Sequence, residues 1–331
     1  MQPTTHTAPI ARTSGFTLIE LVIVIVVAGI IAGISAGFIT SAMEGYVAQG
    51  RRATLVDTAD LALTRMTRDL RQALPNSVRV ADNAGNTGQV RCQIPGQICG
   101  IEFLHVLDGG RYRAKPPGNP LAFNQSSDTF DVLGGLSNLP PPSQYRTGTG
   151  SAQCLLGNAW CLVIYNAGQP ASAPVPSGKS ANAYLGPGSA AASYVGNIAT
   201  ISAITGTPPD SVSFDNSDLD SPPYRWHFPF RSPQQRFYIV DTPVSYICDL
   251  STGEVRRYTN YPIGAVQAVN PAAAPLNAAS SALLANKVSS CAFDYQPGTS
   301  TRSGLVTLTL AITDSGETVA LFQQVHVVNA P

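Results

Sequence analysis

An uncharged apolar run near the N-terminus constrains this chain more than any other feature. It extends from Leu21 to Ala42 and directly follows the acid Glu20. A helix of this length can cross a hydrocarbon core of ~30 Å. A carboxylate at the edge of such a run is costly in lipid and is therefore a candidate functional group. The sequence thus predicts a membrane-spanning helix that carries an acid at its start.

A cleaved secretory signal and a plain membrane anchor are the two simpler interpretations of this run. Glu20 interrupts the apolar core near its beginning, and the run is longer than the core of an ordinary signal peptide. Both features argue against a secretory signal. Hydropathy alone does not exclude a plain anchor, and the flanking arginines give only a weak indication of orientation.

Small residues recur every four positions within the run. Gly29, Gly33 and Gly37 begin a series that Ser41 and Gly45 continue. On a helix these residues share one face, and such faces let helices approach closely in membranes. Glycine also weakens a helix by ~1 kcal/mol relative to alanine. We therefore expect a helix-packing face here, with a bend or local melting near Gly37 when the helix packs against others.

The segment after the apolar run has the pattern of an amphipathic helix. Apolar residues recur with a period of 3.6 over residues 55–74, while Arg65 and Asp69 are spaced four apart on the polar side. Pro75 ends the pattern. The expectation is one helix from Phe16 to about Leu74, ~90 Å long, whose second half lies on a sheet.

From residue 78 onward, apolar and β-branched runs alternate with Gly, Pro, Asn and Ser, as in β-rich domains. Asp314-Ser315-Gly316 predicts a tight turn and a C-terminal β-hairpin. Long loops are expected over 140–150 and 170–196, and an insertion or second lobe over about 110–230. The predicted strands are Ile101–Leu107, Thr129–Leu133, Cys161–Tyr165, Ser211–Phe214, Arg236–Val240, Val244–Cys248, Glu254–Tyr258, Val288–Tyr295, Leu305–Thr313 and Glu317–Val328.

Composition and motifs exclude several classes of function. The formal net charge is zero and no basic patch is present, so nucleic-acid binding is not expected. The chain has no H-E-x-x-H, no G-x-S-x-G and no phosphate-binding glycine loop. His326 lies in an alternating strand pattern, and residues 224–228 form an aromatic and basic cluster more typical of a core than of a ligand surface. Neither an enzyme nor a cofactor is predicted.

The cysteines are even in number and all follow the apolar run, and two pairs share the spacing C-x6-C. This pattern is typical of disulfides formed in an oxidising compartment. Many connectivities are possible; the simplest joins neighbours and leaves the last two cysteines together. A zinc site is the alternative, although no C-x2-C pair or nearby histidine supports it. The six residues are Cys92, Cys99, Cys154, Cys161, Cys248 and Cys291.

Three aspartates, Asp215, Asp218 and Asp220, cluster in one predicted loop. Calcium favours such oxygen-rich loops. The spacing fits no complete calcium-binding pattern, so a solvated acidic turn is the simpler interpretation. No metal is predicted, and calcium is kept as a weak alternative.

The segment Gly15-Phe16-Thr17-Leu18-Ile19-Glu20-Leu21 resembles the processing site of type IV prepilins and type II secretion pseudopilins. The resemblance implies that a prepilin peptidase cuts between Gly15 and Phe16 and methylates the new N-terminus of Phe16. It also implies that Glu20 pairs with the terminal amine of a neighbouring subunit, which makes a carboxylate tolerable in lipid. The leader departs from the family because Arg12 is its one clearly basic residue.

The same resemblance implies an α+β, type IV pilin-like fold, in which a long N-terminal helix packs on an antiparallel β-sheet with β- and loop-rich insertions. The expected organisation is a leader over residues 1–15, a transmembrane helix half over 16–42 and an amphipathic helix half over 43–75. A β-rich periplasmic or extracellular head then occupies residues 76–331.

Three later segments resemble MshO-type minor pilins of mannose-sensitive haemagglutinin (MSHA) pili: Arg65–Arg79, Arg236–Tyr246 and Gln324–Pro331. The implied function is that of a minor pilin in pilus assembly, in the initiation or tip complex. The implied partners are other major and minor pilins, the prepilin peptidase and the inner-membrane assembly platform. The implied location is the inner membrane, with a periplasmic C-terminal head, and then the pilus at the cell surface. A J-type minor pseudopilin of type II secretion and a tip adhesin are the alternatives.

Overall fold

The structure is a computed structural model that describes residues 15–123, 127–150, 153–168, 181–185, 197–206, 209–215, 228, 230–298 and 302–329. The chain divides into two compact units, residues 1–53 and 54–331. One α-helix, α1, spans Leu18–Leu70 and contributes residues to both units. The rest of the described chain consists of strands, turns, loops and short 3-10 helices.

Thirteen strands lie in the described part of the second unit, and every pairing between them is antiparallel. The predicted α+β fold is therefore confirmed. In chain order the strands are β1 Arg79–Asp82, β2 Gln89–Cys92, β3 Ile98–Tyr112, β4 Thr129–Leu133, β5 Cys161–Val163, β6 Ile198–Gly206, β7 Pro209–Phe214, β8 Arg236–Asp249, β9 Glu254–Thr259, β10 Ser280–Ala285, β11 Val288–Gln296, β12 Gly304–Asp314 and β13 Glu317–Val327.

In the first unit α1 buries no side chain of its apolar run. Residues 15–47 are all exposed, and an 18-residue window of the helix reaches a mean hydropathy of 2.8 with none of it buried. Apolar side chains that face water in such number are unfavourable. This part of α1 is long and apolar enough to cross a membrane.

In the second unit the same helix packs on both sheets. Its buried residues recur with helical spacing and join a core that includes Val80 and Phe103 of one sheet and Leu308 and Val325 of the other. The amphipathic pattern found in the sequence is therefore the pattern of burial. The buried apolar residues of this stretch are Leu55, Ala59, Ala62, Leu63, Met66 and Leu70.

Asp69 was expected on the polar side of the helix, and this expectation is wrong. Its side chain is only 5% exposed and forms ion pairs with Arg257 at 2.7 Å and with Arg65 at 3.2 Å. The hydroxyl of Tyr246 also donates to it at 2.7 Å. Burial, followed by the neighbouring Asp69 charge, raises the pKa of Tyr246 well above its usual value. Asp69 is thus a buried polar anchor between α1 and strands β8 and β9.

The helix ends at Leu70, four residues before the predicted end. Residues 72–74 leave the helix to pair with β3: the N–H of Leu74 donates to the carbonyl of Leu104, and that of Val106 donates to the carbonyl of Gln72. Ala73 forms a β-bridge with His105. Pairing with the sheet therefore ends the helix before the proline at position 75 does.

The smaller sheet has the strand order β13-β12-β11-β2. The C-terminal hairpin predicted from the sequence is its outer half, with Asp314 opposite Glu317. Ser315 and Gly316 form the connecting turn, with φ angles of 49° and 83°. Two positive φ values are the mark of a type I′ turn, whose twist suits a two-residue hairpin.

The larger sheet has the order β1-β3-β4-β7-β6-β5-β8-β9-β10, with a further pairing between β3 and β8. That pairing closes six strands, β3, β4, β7, β6, β5 and β8, into a ring. An aromatic cluster shared by these strands includes Tyr112, Phe130, Phe214 and Phe237, all nearly fully buried. Closure leaves the ring without free strand edges, except where β3 changes partners.

Strands β3 and β8 are longer than predicted because each contributes to two structures. Their pairing is interrupted by irregularities between Leu104 and Asp108. On one side of these positions they face the helix; on the other they belong to the six-stranded ring. The predicted strands 236–240 and 244–248 are accordingly one continuous strand that includes Pro243.

Two disulfides join the two sheets. Cys92 bonds to Cys99 and Cys248 bonds to Cys291. Within the sheets, Cys92 lies opposite Cys291 in the smaller sheet, and Cys99 lies opposite Cys248 in the larger one. A third disulfide links Cys154 to Cys161. Neighbouring cysteines are thus joined and the last two bond to each other, which is the simplest connectivity that the spacing allows.

Candidate processing and assembly segment

The motif residues lie at the first turn of α1. The hydroxyl of Thr17 accepts a hydrogen bond from the N–H of Glu20 at 3.3 Å, and the carbonyl of Thr17 accepts from Glu20 at 3.1 Å and from Leu21 at 3.2 Å. Thr17 therefore caps the helix. Phe16, the expected new N-terminus, immediately precedes this cap.

Glu20 completes a capping pair with Thr17. The hydroxyl of Thr17 donates a hydrogen bond of 3.5 Å to the Oε2 atom of Glu20, which lies three residues later in the chain. Threonine followed three positions later by glutamate is the sequence signature of a capping box. This local role of Glu20 was not predicted, although the T-x-x-E spacing that signals it is visible in the sequence. The carboxylate thus sits beside the backbone segment where a terminal amine would appear after cleavage.

The predicted helix-packing face is open to contact. An added Cβ at Gly29, Gly33 or Gly37 would meet nothing within 4 Å outside the local helix backbone. The groove along these glycines is therefore free to receive another helix, as small-residue faces do in membranes. Near Gly37, the hydroxyl of Thr40 donates to the carbonyls of Ala36 at 3.1 Å and Gly37 at 3.0 Å. Such back-bonding tends to bend helices.

Comparison with known families gives one match. Residues 10–36 match the family model described as the prokaryotic N-terminal methylation motif. The chain has the N-terminal segment of a type IV pilin-like protein. No curated protein and no solved structure matches the chain significantly. The match covers the end of the expected leader and the first part of α1, so it does not extend to the later segments 65–79, 236–246 and 324–331.

The remaining candidate residues of the chain do not form a second site around the motif. The Sγ atoms of Cys92, Cys99 and Cys291 lie within 4.8 Å of one another, but each is bonded in a disulfide. His326 is exposed on β13. Of the aromatic cluster at 224–228, Phe228 is buried, and the other four residues lie outside the described chain.

The acidic loop is only partly described. Asp215 accepts a hydrogen bond from the N–H of Gly150 at 2.7 Å and donates its own N–H to the carbonyl of Thr200. Asp218 and Asp220, the other two weak calcium candidates, lie outside the described residues. Asp215 has a structural role in joining two connecting segments next to the six-stranded ring.

Proposed function

We propose that this chain is a minor type IV pilin of the MSHA type that takes part in pilus assembly, within the initiation or tip complex. The observation that carries the proposal is the methylation motif over residues 10–36, placed on an exposed apolar helix that begins at Leu18. In this proposal the prepilin peptidase cuts between Gly15 and Phe16 and methylates Phe16. No catalytic activity or cofactor is part of it.

Assembly in this proposal uses the exposed part of α1. The apolar side chains leave lipid for contact with the helices of other subunits, and the faces around Gly29, Gly33 and Gly37 allow close approach. Glu20 pairs with the methylated amine of a neighbouring subunit, so that neither charge is buried alone. The capping geometry supports this role, since it places the carboxylate at the very start of the helix.

The position in the initiation or tip complex rests on the size of the second unit. Residues 54–331 hold two sheets, one of which closes into a six-stranded ring. Identical heads of this bulk, repeated along a thin fibre, would each have to accommodate neighbours on several sides. At a tip the crowding is one-sided, which favours a subunit of low copy number.

The N-terminal processing is tested by mass spectrometry of the protein from its native envelope. The expected mature chain begins with an N-methylated Phe16 and lacks residues 1–15. An unprocessed chain in the presence of an active prepilin peptidase would contradict the proposal. Deleting the peptidase gene is the control, and it should restore the full-length mass.

The role of Glu20 is tested by Glu20→Ala. The variant should remain in the membrane and fail to enter fibres. Glu44→Ala is a matched control, because Glu44 is also an exposed acid of α1 but lies outside the motif. Normal incorporation of Glu20→Ala, or equal failure of both variants, would rule out the specific pairing.

The assembly role is separated from its alternatives by counting subunits and fibres. A tip subunit should be present in purified fibres at far lower abundance than the major subunit, and its deletion should reduce fibre number. Normal fibre number with lost adhesion would instead identify a tip adhesin. Loss of protein secretion with intact pili, together with secretion genes as neighbours, would identify a J-type pseudopilin.

A further inference from the structure

The exposed face of α1 in the second unit carries an acidic pair and a basic pair. Asp57 and Asp60 form the acidic pair, and Arg68 and Arg71 form the basic pair about three turns later. All four residues are exposed and lie on the side opposite the buried residues that pack on the sheets. Leu61, which is 69% exposed, lies on the same face between the two pairs.

The two pairs have matching geometry. Arg71 directly follows the last residue of α1, but its N–H still donates to the carbonyl of Thr67 at 3.2 Å, as in a continuing helix. The residues within each pair are three positions apart, and each acid precedes one arginine by 11 positions. Because 11 residues are close to three full turns, the two pairs point in nearly the same direction.

The described chain does not neutralise these four charges. On a helix, side chains interact with neighbours three and four positions away, and no such neighbour of either pair carries an opposite charge. The acids instead lie beside each other, as do the arginines, which is unfavourable. None of the four side chains has a hydrogen bond or ion pair with any residue that the structure describes. The nearby Arg65, in contrast, pairs with Asp69.

We propose that this face binds the same face of a second copy of the chain, with the acidic pair of one helix against the basic pair of the other. The two helices run parallel, because the apolar runs of both copies enter the same membrane. A displacement of 11 residues, or ~16 Å along the axis, places Asp57 opposite Arg68 of the second copy. The same displacement places Asp60 opposite Arg71, so both ion pairs form together.

The same charges disfavour two helices that stand level. Without a displacement, Asp57 would face Asp57 of the second copy and Arg68 would face Arg68, and like charges that meet at an interface are unfavourable. A displacement of eight residues would require Arg65, whose side chain already pairs with Asp69. The charge pattern therefore favours one displacement and acts against level association in the membrane.

The inference rests on the proposed role in assembly and names one contact that assembly would form. The contact uses the acidic end of the face on one copy and the basic end on the other, so it is heterologous and does not close. Two copies are sufficient for one such contact, which is compatible with a subunit of low copy number. Leu61 adds an apolar side chain to the contacting face.

The test uses disulfide cross-linking of the full chain in its native host, where fibres assemble. Ala53 and Thr64 are exposed residues of α1 that are also 11 positions apart, and the chain's own cysteines are already joined in disulfides. The host produces two differently tagged chains, one with Ala53→Cys and the other with Thr64→Cys. Sheared fibres should contain a covalent dimer that carries both tags, whereas each chain produced alone should give almost none.

Exchange of charges then tests the pairing. Arg68→Asp in both tagged chains should lower the yield of dimer about 10-fold, because it turns an attraction into a repulsion. Adding Asp57→Arg should restore the yield, since the exchanged charges are again complementary.

Arg91→Asp is the matched control, because Arg91 is an exposed arginine of β2 and its exchange changes the net charge equally. The control should give the same yield of dimer as the unchanged charges do. None of these variants should change the thermal midpoint of the head, since the charges of the face have no partner within the described chain.

Mass spectrometry of the same fibres separates this inference from the proposed function. A processed chain that is present in fibres but gives no dimer would overturn the contact between copies and assign the face to a different subunit. Dimers of the Thr64→Cys chain with itself would show level helices and would also overturn it, as would equal losses of dimer in Arg68→Asp and Arg91→Asp. Absence of the chain from fibres would overturn the proposed function and this contact together.

Discussion

Two stretches of one helix meet opposite surroundings in this protein. From Leu18 to Val47 every residue of α1 is exposed, whereas between Leu55 and Leu70 seven residues are buried, including the acid Asp69. Both stretches are helical because a helix satisfies its own backbone hydrogen bonds in either lipid or protein. The two stretches therefore share their secondary structure but differ in what stabilises them. The first stretch depends on partners outside the chain, and the second depends on the protein's own sheets.

The largest expected effect concerns the disulfide between Cys248 and Cys291, which holds the two sheets of the second unit together. Its removal in a double serine variant should lower the free energy of unfolding by about 4 kcal/mol, because the bond closes a long loop in the unfolded chain. The sequence separation is 43 residues, against 7 for Cys154–Cys161. The matched double variant of that shorter pair should lose only about 2.5 kcal/mol.

Denaturant unfolding of the full chain in detergent measures both losses, with near-ultraviolet circular dichroism following the head and far-ultraviolet circular dichroism following the helix. The helical signal of the first stretch should persist after the head has unfolded, because a helix in the apolar interior of a micelle satisfies its own backbone hydrogen bonds. Loss of all helical signal in one transition would contradict the contrast between the two stretches.

A second prediction compares two leucines on the same helix. Leu63 is 1% exposed and Leu61 is 69% exposed. Leu63→Ala should lower the free energy of unfolding by about 3 kcal/mol, through lost burial and a cavity that does not close. Leu61→Ala should change it by less than about 0.5 kcal/mol. Equal effects in the same unfolding experiment would mean that the buried face of α1 has been misassigned.

A third prediction concerns the buried acid. Asp69→Asn should cost about 2 kcal/mol, because it removes a charged acceptor from Arg257 and Tyr246. Arg257 is partly exposed, so water compensates for some of the loss. Asp60→Asn is the control, since Asp60 is an exposed acid of the same helix. A neutral Asp69→Asn in thermal unfolding would show that the anchor adds no net stability.

The smallest expected effect lies at the start of the first stretch. Thr17→Ala removes the cap of α1 and should destabilise its first turn by about 1 kcal/mol. Thr17→Ser keeps the hydroxyl and should leave the turn unchanged. Hydrogen exchange of the amides of residues 18–21 in micelles measures the difference, and the unfolding of the head should not respond to either variant. Unchanged amide hydrogen exchange in Thr17→Ala would show that Thr17 does not cap the helix.

Sequence patterns were most informative where structure depends on neighbours along the chain. The helical period, the Thr17–Glu20 spacing and the hairpin turn at Ser315-Gly316 each depend on residues close together in the chain. The structure confirms the helix and the hairpin. Among the strands, β1, β2, β6 and β10 were not predicted. The first two are only four residues each and interrupted by polar side chains, and β10 is largely exposed, so periodicity gave little signal.

The burial of Asp69 and the pairing of Arg111 with Arg236 were beyond such patterns for a different reason. Asp69 has the spacing of a surface ion pair with Arg65, and its burial depends on Tyr246 and Arg257, which are distant in sequence. Arg111 and Arg236 become neighbours only through the register of two strands separated by more than a hundred residues. No local rule brings such groups together.

The sequence by itself determined the apolar helix, the methylation motif and the β-rich character of the rest, because each depends on side chains a few positions apart. Tertiary structure alone decided where α1 ends, how six strands close into a ring, and which charged residues lie opposite each other in the sheet. These outcomes depend on long-range strand pairing, in which the partner and register are chosen by the packing of the whole core and not by the residues that pair.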